Sequence, residues 1–468
     1  MTTLEEERQL VRIKDEVMPE PDISSAGRTA SRMQNGPAIL FEKINGYNGT
    51  VATNVHGSWA NHALMMGMDK NTPVVDQFHE LNRRWNKFPV APKVLPREEA
   101  KCKENFVEGD DINLFELLPL YRINEQDGGF YLSKASIISA DPDAPQDLDK
   151  QNVGTYRVQV KGKRTVAGQF LAMHDLAKQF EAAERRNEPF PIAITLGNAP
   201  LITFMASTPV GYAQNEYEFV GALNDGEPCE VTPADLYPHL LVPAHCEVVL
   251  EGTVRPRVRE VEKPFGEFPG SYSGARLQCV VDIERVTYRT DPIFENLYLG
   301  MPWTEIDYLM ALNTSVPLYQ QMKEDFPEVQ SVNAMYTYGI GTILSIKPRY
   351  GGHATGAAMR LLSTPHGMPY TKVVIMVDDF VDPYDLNQVM WALTTRVLPS
   401  KDVKIIPNAA GMPLDPSSNP AGMSSKLIID ATTPVDPEPN PRSVQLLEDP
   451  AKTVEYTKII SDLWAAAK

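Results

Sequence analysis

Several features that would assign a function at once are missing from this 468-residue sequence. It has only four cysteines, Cys102, Cys229, Cys246 and Cys279, and no two of them have the C-x-x-C spacing of a zinc knuckle or a thioredoxin-type motif. In a chain of this length, widely spaced cysteines are predicted to be reduced, buried thiols. No run approaches the roughly 18 apolar residues of a membrane span, and the charged N-terminus has no apolar signal-peptide segment. We therefore expect a cytoplasmic protein without a membrane span.

Basic residues are scarce relative to acidic ones. The chain has 44 lysines and arginines against 61 aspartates and glutamates, which gives a net charge of −17. A nucleic-acid footprint needs a basic patch, and so does docking on an anionic membrane. We therefore expect neither nucleic acid nor a membrane as a partner. An anionic small molecule remains compatible, because a local arginine or lysine cluster can hold one inside an acidic protein.

The common catalytic motifs are also missing. The sequence contains no G-x-x-x-x-G-K-[ST], no G-x-G-x-x-G after a strand, no G-x-S-x-G and no H-E-x-x-H. The glycine-rich stretch at residues 351–356 lacks the Lys-Ser/Thr end of a phosphate-binding loop. These absences argue against the common ATPases, the α/β-hydrolases and the zincin proteases.

What is present is a change of pattern along the chain, whose length predicts about three domains. The first 115 or so residues mix short helical and strand-like pieces, and residues from about Tyr131 to Gly300 are rich in strands. A turn is predicted at Lys161-Gly162. Helices are predicted after His174 and from about Asn215 to Leu223. The predicted strands are Ala135–Ala140, Tyr156–Val160, Phe190–Leu196, Cys246–Val254, Leu277–Val286 and Ile293–Leu299.

Beyond about residue 305 the pattern alternates between strand and helix. The order of these elements predicts a parallel sheet. Its predicted strands are Lys372–Val377, Asp402–Ile406 and Lys426–Ile429, with Leu386, Val389, Met390, Leu393 and Val397 at helical spacing between the first two. A last helix should begin at Asp449-Pro450, a good N-cap and first-turn pair. Its apolar stripe would pack on its own domain or dock on a neighbour, and consists of Tyr456, Ile460, Leu463 and Trp464.

The strongest local chemical signal is the loop from Glu262 to Gly270, with the sequence EKPFGEFPG. It places two carboxylates, Glu262 and Glu267, among prolines and glycines that can fix a tight path. Two carboxylates in one apolar cleft repel each other, and repulsion with desolvation pushes one pKa upward. Such a group is a general acid near neutral pH. The alternative is a solvated surface turn.

Two weaker signals precede this loop. Arg157 lies on a predicted strand, with Gln159 on the same side, and an inward arginine can clamp a carboxylate through two hydrogen bonds. His174 and Glu216 each lie near a predicted helix start, where anions bind readily. With Asn152 they would form a mixed N and O ligand set for a divalent cation. The alternatives are a surface arginine and a structural histidine.

Taken in order, Asn152, Arg157, His174, Glu216 and the E-x-P-F-G-E stretch from Glu262 to Glu267 resemble the UbiD-like family of decarboxylases over nearly the whole chain. Within that family the chain is most similar to the large C subunit of non-oxidative hydroxyarylic acid decarboxylases, the 4-hydroxybenzoate and vanillate group. The stretches that carry this closer resemblance include Asn113–Phe115, Gly128–Tyr131, Leu297–Glu305 and Asn333–Thr337.

The resemblance implies cofactors and residue roles. Asn152, His174 and Glu216 would hold Mn2+, which bridges to the phosphate of prenylated FMN, and K+ would lie nearby on backbone carbonyls. Arg157 would contact the cofactor site and orient the substrate. Glu262 would hold Arg157, and Glu267 would donate the proton that replaces CO2.

The resemblance also implies an α+β fold in three parts. These are an N-terminal α/β portion (1–115), a central split β-barrel that binds the flavin (116–304) and a C-terminal α/β domain that oligomerises and ends in a docking helix (305–468). A homodimer or homohexamer would follow. Small companion subunits and a separate flavin prenyltransferase that supplies the cofactor are expected partners.

Two positions depart from the family pattern. Relatives commonly have lysine in a Gly-His-Ala-Lys stretch, where it can neutralise the cofactor phosphate, but here Thr355 follows Gly352-His353-Ala354. Met173 precedes His174 where some relatives have glutamine, and no role is assigned to it.

The expected function is therefore reversible non-oxidative decarboxylation of a small aromatic acid such as 4-hydroxybenzoate or vanillate, giving the phenol and CO2. One alternative is the same chemistry on another aromatic or unsaturated acid, for example 3,4-dihydroxybenzoate. The other is a non-catalytic, flavin-binding subunit of a larger complex.

Overall fold

The polypeptide begins with a small α/β unit. The computed structural model describes residues 1–301, 303–336, 338–438 and 449–466. In the first unit β1 runs parallel to β2, and β3 is antiparallel to β2. Its elements are α1 (Thr2–Glu6), β1 (Leu10–Ile13), α2 (Ser24–Ser31), β2 (Ala38–Phe41), β3 (Thr50–Thr53), α3 (Trp59–Met65) and α4 (Val74–Trp85). The predicted mixture of short helices and strands is confirmed here.

A closed barrel of six antiparallel strands follows. Its strands are β6 (Tyr131–Ala140), β7 (Gln151–Gly162), β8 (Thr165–Gly168), β9 (Phe190–Leu196), β12 (Val248–Glu262) and β13 (Arg276–Tyr288). The elements before and between them are β4 (Lys93–Val94), β5 (Asn105–Glu108), α5 (Leu114–Leu117), α6 (Asp175–Arg185), α7 (Pro200–Ala206), α8 (Glu216–Leu223), β10 (Glu230–Pro233) and β11 (Leu241–Pro243). The order around the barrel is β12-β9-β6-β7-β8-β13, and β13 pairs again with β12. The predicted central β-barrel is therefore confirmed.

The barrel strands match the apolar runs in the sequence, with three adjustments. Strand β6 is buried along its whole length, and β9 has the predicted bounds. The predicted turn at Lys161-Gly162 is wrong, because both residues end β7 and the turn lies at Lys163-Arg164. Strand β12 extends to Glu262. The run predicted to end at Leu299 ends at Glu295, because β14 (Ile293–Glu295) leaves the barrel and pairs with β3 of the first unit.

One glycine is needed where the long hairpin β12–β13 shifts register beside Gly252. A Cβ atom on Gly252 would lie 1.9 Å from the carbonyl oxygen of Asp282. Any other residue would push the two strands apart, because backbone atoms cannot yield as a flexible side chain can.

The last third of the chain is a five-stranded sheet with helices on both faces. Its elements are α9 (Glu305–Leu309), α10 (Leu312–Lys323), β15 (Val329–Tyr336), β16 (Gly341–Ile346), α11 (His353–Leu362), α12 (Gly367–Tyr370), β17 (Val373–Asp378), α13 (Leu386–Arg396), α14 (Pro399–Asp402), β18 (Val403–Ala410), β19 (Met423–Ala431) and α15 (Pro450–Ala466). The strand order is β15-β16-β17-β19-β18.

The predicted parallel sheet is right only for its centre. Strands β16, β17 and β19 are parallel, whereas β18 is antiparallel to β19. The reason is the connection: β18 and β19 follow each other in the chain and pair directly, without the crossover over one face of the sheet that parallel neighbours need. On α15, the side chains of Tyr456, Ile460, Leu463 and Trp464 are exposed, so the described residues do not bury this stripe in its own domain.

Two further predictions concern thiols and membranes. All four cysteines are free and buried, as predicted. Among the described residues, no helix has the length and apolar character that a membrane crossing requires.

Candidate active site

A cavity of about 700 Å³ opens between the barrel and the C-terminal sheet domain. All the predicted site residues except Glu262 line it, and Glu262 binds a side chain that does. The lining set from the predictions is Asn152, Arg157, His174, Glu216 and Glu267. Strand β7 supplies Asn152 and Arg157, whose separation of five residues places them at different heights along the strand. The structure therefore brings together residues that are more than 100 positions apart.

Arg157 is the centre of a buried ionic network. Its Nε and Nη2 atoms donate to the two carboxylate oxygens of Glu262 at 2.8 and 2.9 Å, and its Nη1 contacts the Glu267 carboxylate. Glu262 is fully buried, and Glu267 and Arg157 are 5% and 8% exposed. The two acids therefore do not simply repel each other, as the sequence suggested, because one guanidinium bridges them. Such a bidentate pair fixes the plane of the guanidinium.

The loop that carries Glu267 is held from several sides. The Asp127 carboxylate accepts the N–H of Gly266 at 2.8 Å, and the Tyr131 hydroxyl donates to the carbonyl of Lys263 at 2.6 Å. The N–H of Glu267 itself donates to the carbonyl of Ser271 at 2.9 Å. Because each bond fixes a different part of the loop, the acid is presented in a defined place. The solvated-turn alternative is excluded by the burial of both glutamates.

The second group of side chains comes from β7 and two helix starts. His174 occupies the N-cap position of α6, and Glu216 is the first residue of α8. Asn215 caps α8 by accepting the N–H of Tyr217, and its side-chain amide donates to the carbonyl of Gln151 at 3.1 Å. That bond ties the start of α8 to β7, so Glu216 is brought to Asn152.

These three side chains have unmet bonding capacity. His174 Nδ1 and Asn152 Nδ2 are buried without a hydrogen-bond partner in the described part of the chain. Glu216 accepts the N–H of Val153 at 3.0 Å, and burial raises its pKa to about 8. Burial also lowers the pKa of His174 to about 4, which keeps the imidazole neutral and able to ligate a metal. A neutral imidazole, an amide and a carboxylate that lacks a cation fit a divalent metal.

The C-terminal domain contributes a wall that the sequence did not reveal. Tyr338, His366 and Tyr370 line the cavity, and Tyr338 also meets the ring of Phe268 edge-on at 6.1 Å. These residues lie far along the chain from the recognised motifs and in ordinary-looking sequence. Gln278 was also missed, although it follows the recognised loop closely: its side-chain amide donates to Glu262 at 3.2 Å across the paired strands β12 and β13. No signal in the sequence distinguishes them from core residues.

Thr355, the departure from the family pattern, is turned away from the cavity. Its hydroxyl donates to Asp430 at 3.3 Å, and it is not among the lining residues. The lysine and arginine side chains that line the cavity, among the residues the structure describes, are Arg157, Lys178 and Arg360.

A separate buried group of His56, Glu295 and Glu305 also has the spacing of metal ligands. Lys134 already fills it, since its ammonium contacts Glu295 and lies 2.7 Å from Glu305. The positive charge of that lysine lowers the pKa of Glu305 despite its burial. This group ties the first unit, the barrel and α9 together rather than holding a metal.

Comparison with known proteins gives the family. Residues 1–81, 93–302 and 307–431 match the N-terminal, Rift-related and C-terminal domains of 3-octaprenyl-4-hydroxybenzoate carboxy-lyase, the UbiD family. A "phenolic acid decarboxylase" of Sedimentibacter hydroxybenzoicus is 68% identical over 464 residues, covering 99% of this chain and 96% of the relative.

Solved structures agree. The vanillic acid decarboxylase of S. hydroxybenzoicus (ShVdcCD) in closed form has a TM-score of 0.92 and 68% identity, covering 99% of this chain and 97% of that one. The UbiD-class enzyme HmfF from Pelotomaculum thermopropionicum in complex with FMN has a TM-score of 0.84 and 28% identity, covering 97% and 98%. An evolved dimeric form of HmfF in complex with prFMN has a TM-score of 0.81 and 28% identity, covering 97% and 96%. This chain belongs to the UbiD family of carboxy-lyases.

Proposed function

We propose that this protein removes CO2 from a 4-hydroxybenzoate-type acid, with 4-hydroxybenzoate and vanillate as the leading substrates, and gives the corresponding phenol. The names of the 68% identical relative and of its structural counterpart support this substrate class. The single observation that carries the chemistry is the buried network in which Arg157 contacts both Glu262 and Glu267.

That geometry supports a role for each of the three residues. Glu262 accepts one N–H from Nε and one from Nη2 of Arg157, so Nη1, which contacts Glu267, is the nitrogen best placed to meet a substrate carboxylate. A carboxylate there would displace Glu267 from the guanidinium, and its negative charge would favour the protonated form of Glu267. When CO2 leaves, Glu267 gives its proton to the ring carbon that carried it. Glu267 then returns to Arg157 as a carboxylate, and a proton from solvent restores the cycle.

The cofactors of the proposal are prenylated FMN, Mn2+ and K+. His174 would hold the divalent cation through Nδ1, which has no partner in the described chain, Asn152 through its amide oxygen and Glu216 through its carboxylate. When bound, the modified flavin supplies an electron sink for the pair left on the ring carbon. The structures of HmfF in complex with FMN and with prFMN support a flavin as the cofactor. The proposal of K+ rests on the family resemblance alone.

The proposed function also implies partner proteins and a cellular location. The neighbouring structure of ShVdcCD in open form with truncated ShVdcD supports a companion polypeptide. We expect this chain to assemble as a homo-oligomer in the cytoplasm and to receive its cofactor from a separate flavin prenyltransferase. We also propose the three domain ranges expected from the sequence, which are 1–115, 116–304 and 305–468.

The proposal is tested with protein co-expressed with a flavin prenyltransferase. The absorption spectrum and Mn content are recorded, and loss of 4-hydroxybenzoate, vanillate, 3,4-dihydroxybenzoate and an α,β-unsaturated acid is followed by chromatography. Phenol formation from the first two acids is the expected result. Turnover of only the other two would refute the substrate class while keeping the chemistry. A flavin- and Mn-loaded protein that turns over none of the four would contradict the proposed substrate range.

A further inference from the structure

The two ring nitrogens of His174 have different surroundings. Nδ1 is buried and has no hydrogen-bond partner among residues 1–301, 303–336, 338–438 and 449–466. Nε2 lies 3.4 Å from the hydroxyl oxygen of Tyr370, which comes from the C-terminal domain. This separation is longer than the roughly 2.7–3.2 Å of an ordinary N–H···O hydrogen bond, so the contact is weak in the metal-free protein. One nitrogen is therefore available to a ligand, and the other faces a hydroxyl from a different domain.

Tyr370 is held in place independently of His174. Its ring stacks on His366 with centroids 4.4 Å apart and an interplanar angle of 8°. Lys426 on β19 donates from Nζ to the carbonyls of Met368 and Thr371, at 2.7 and 2.5 Å, on either side of Tyr370. Tyr370 itself is 7% exposed. Its hydroxyl is thus presented by the end of α12, which Lys426 of β19 holds, while its ring also packs into the core that the barrel residues form.

We propose that Tyr370 is a positioning residue for the metal site: its hydroxyl accepts the N–H of His174 Nε2 and so leaves Nδ1 as the nitrogen that faces the cation. The inference rests on the proposed function, because it takes His174 as a metal ligand. It goes beyond that proposal by making the metal affinity of the barrel depend on a side chain of the C-terminal domain.

The physical reason is the choice of tautomer. A neutral imidazole carries one proton, and a nitrogen that binds a metal must be the one without it. An acceptor at Nε2 stabilises the tautomer with the proton there, and it also fixes the rotation of the ring. Outer partners of this kind typically contribute 10- to 100-fold to metal affinity.

The test is a titration of Mn2+ alone into the full-length protein after chelator treatment. Calorimetry gives the affinity, and the electron paramagnetic resonance spectrum of bound Mn2+ reports its ligand environment. Tyr370→Phe removes only the hydroxyl and keeps the stacking on His366. Tyr336→Phe is the matched control, because Tyr336 is a half-buried tyrosine of the same domain that contacts Trp303 and does not line the cavity.

We expect Tyr370→Phe to weaken Mn2+ binding by about 10- to 100-fold and to change the resonance of bound Mn2+, with the melting temperature of the metal-free protein unchanged. Tyr336→Phe should match the wild type. Equal Mn2+ affinity in Tyr370→Phe and wild type would overturn the inference and leave the metal site standing. An equal loss in both variants would overturn it in favour of general packing. A wild-type protein that binds no Mn2+ would overturn the metal site itself.

Discussion

The two groups of polar side chains in the cavity share one strand but differ in how their bonds are met. Arg157, Glu262 and Glu267 bind one another, so their charges are largely compensated within the protein. Asn152 and His174 are only half-buried as residues, yet Nδ2 of the first and Nδ1 of the second are buried atoms without a partner in the described chain. Arg157 Nη1 also makes no hydrogen bond there, but it has the Glu267 carboxylate as an ionic partner.

This difference in bonding indicates that the two groups have different functions. A compensated network keeps its geometry without a ligand, which suits a group that must orient a substrate and hold a proton in place. Buried polar atoms without partners raise the free energy of the folded protein, and a bound cation can offset that cost. The second group therefore suits cation binding. Three substitutions test this contrast between the two groups.

Arg157→Ala should have the largest effect on stability. It leaves two buried carboxylates, Glu262 and Glu267, without their common cation, and removal of one partner from a buried pair costs about 3–5 kcal/mol. Urea denaturation of the metal-free protein measures the loss. The triple variant Arg157→Met, Glu262→Gln, Glu267→Gln removes all three charges together and should recover most of the loss. A single variant as stable as the wild type would show that the network is not compensated as described.

Glu216→Gln should have little effect on stability and a large effect on Mn2+ binding. Glutamine keeps the size of the side chain and its oxygen can still accept the N–H of Val153, so the metal-free protein should change in stability by less than about 1 kcal/mol. Loss of the carboxylate should weaken Mn2+ binding at least tenfold, since hard divalent cations prefer charged oxygen ligands. Calorimetric Mn2+ titration beside urea denaturation checks both halves. Large destabilisation without a change in Mn2+ affinity would reverse the assignment of the two groups.

Thr355→Val should have the smallest effect. The Thr355 hydroxyl donates to Asp430 and lies outside the cavity, so stability should fall by about 0.5–1.5 kcal/mol and FMN affinity should stay unchanged. Quenching of flavin fluorescence measures the affinity. A clear loss of FMN binding would place this helix nearer the cofactor phosphate than its side-chain contacts indicate.

The sequence predicted β9 with its bounds, because every residue of that strand except Pro191 is buried and the run is continuous and mostly apolar. It missed the first four residues of β6, which include the polar Ser133 and Lys134. It also predicted the helix that begins at Asn215, since a capping residue followed by an apolar run has few other outcomes. The barrel itself, like the site assignments, came from family resemblance and not from periodicity. Spacing alone could not show that β13 closes on β12.

The missed parts are those fixed by distant contacts. Nothing local distinguishes the Tyr370 hydroxyl facing His174 from a buried tyrosine of the core. The antiparallel β18 was missed because helix and strand patterns reveal order along the chain but not the direction in which an edge strand pairs. The bridging position of Arg157 between the two glutamates likewise depends on a strand and a loop that are about 100 residues apart.

The central claim is that Glu267 donates the proton that replaces CO2, and the most direct test measures product formation with and without that carboxyl group. Wild-type protein and Glu267→Gln, both loaded with flavin and Mn2+, are incubated with vanillate in D2O and followed by NMR. The wild type should give 2-methoxyphenol with one deuterium on the ring carbon that lost CO2. The rate should be lower by about 100- to 10,000-fold for Glu267→Gln, at equal flavin and Mn2+ content. Deuterated product formed by the variant at the wild-type rate would contradict the assignment of Glu267 as the proton donor.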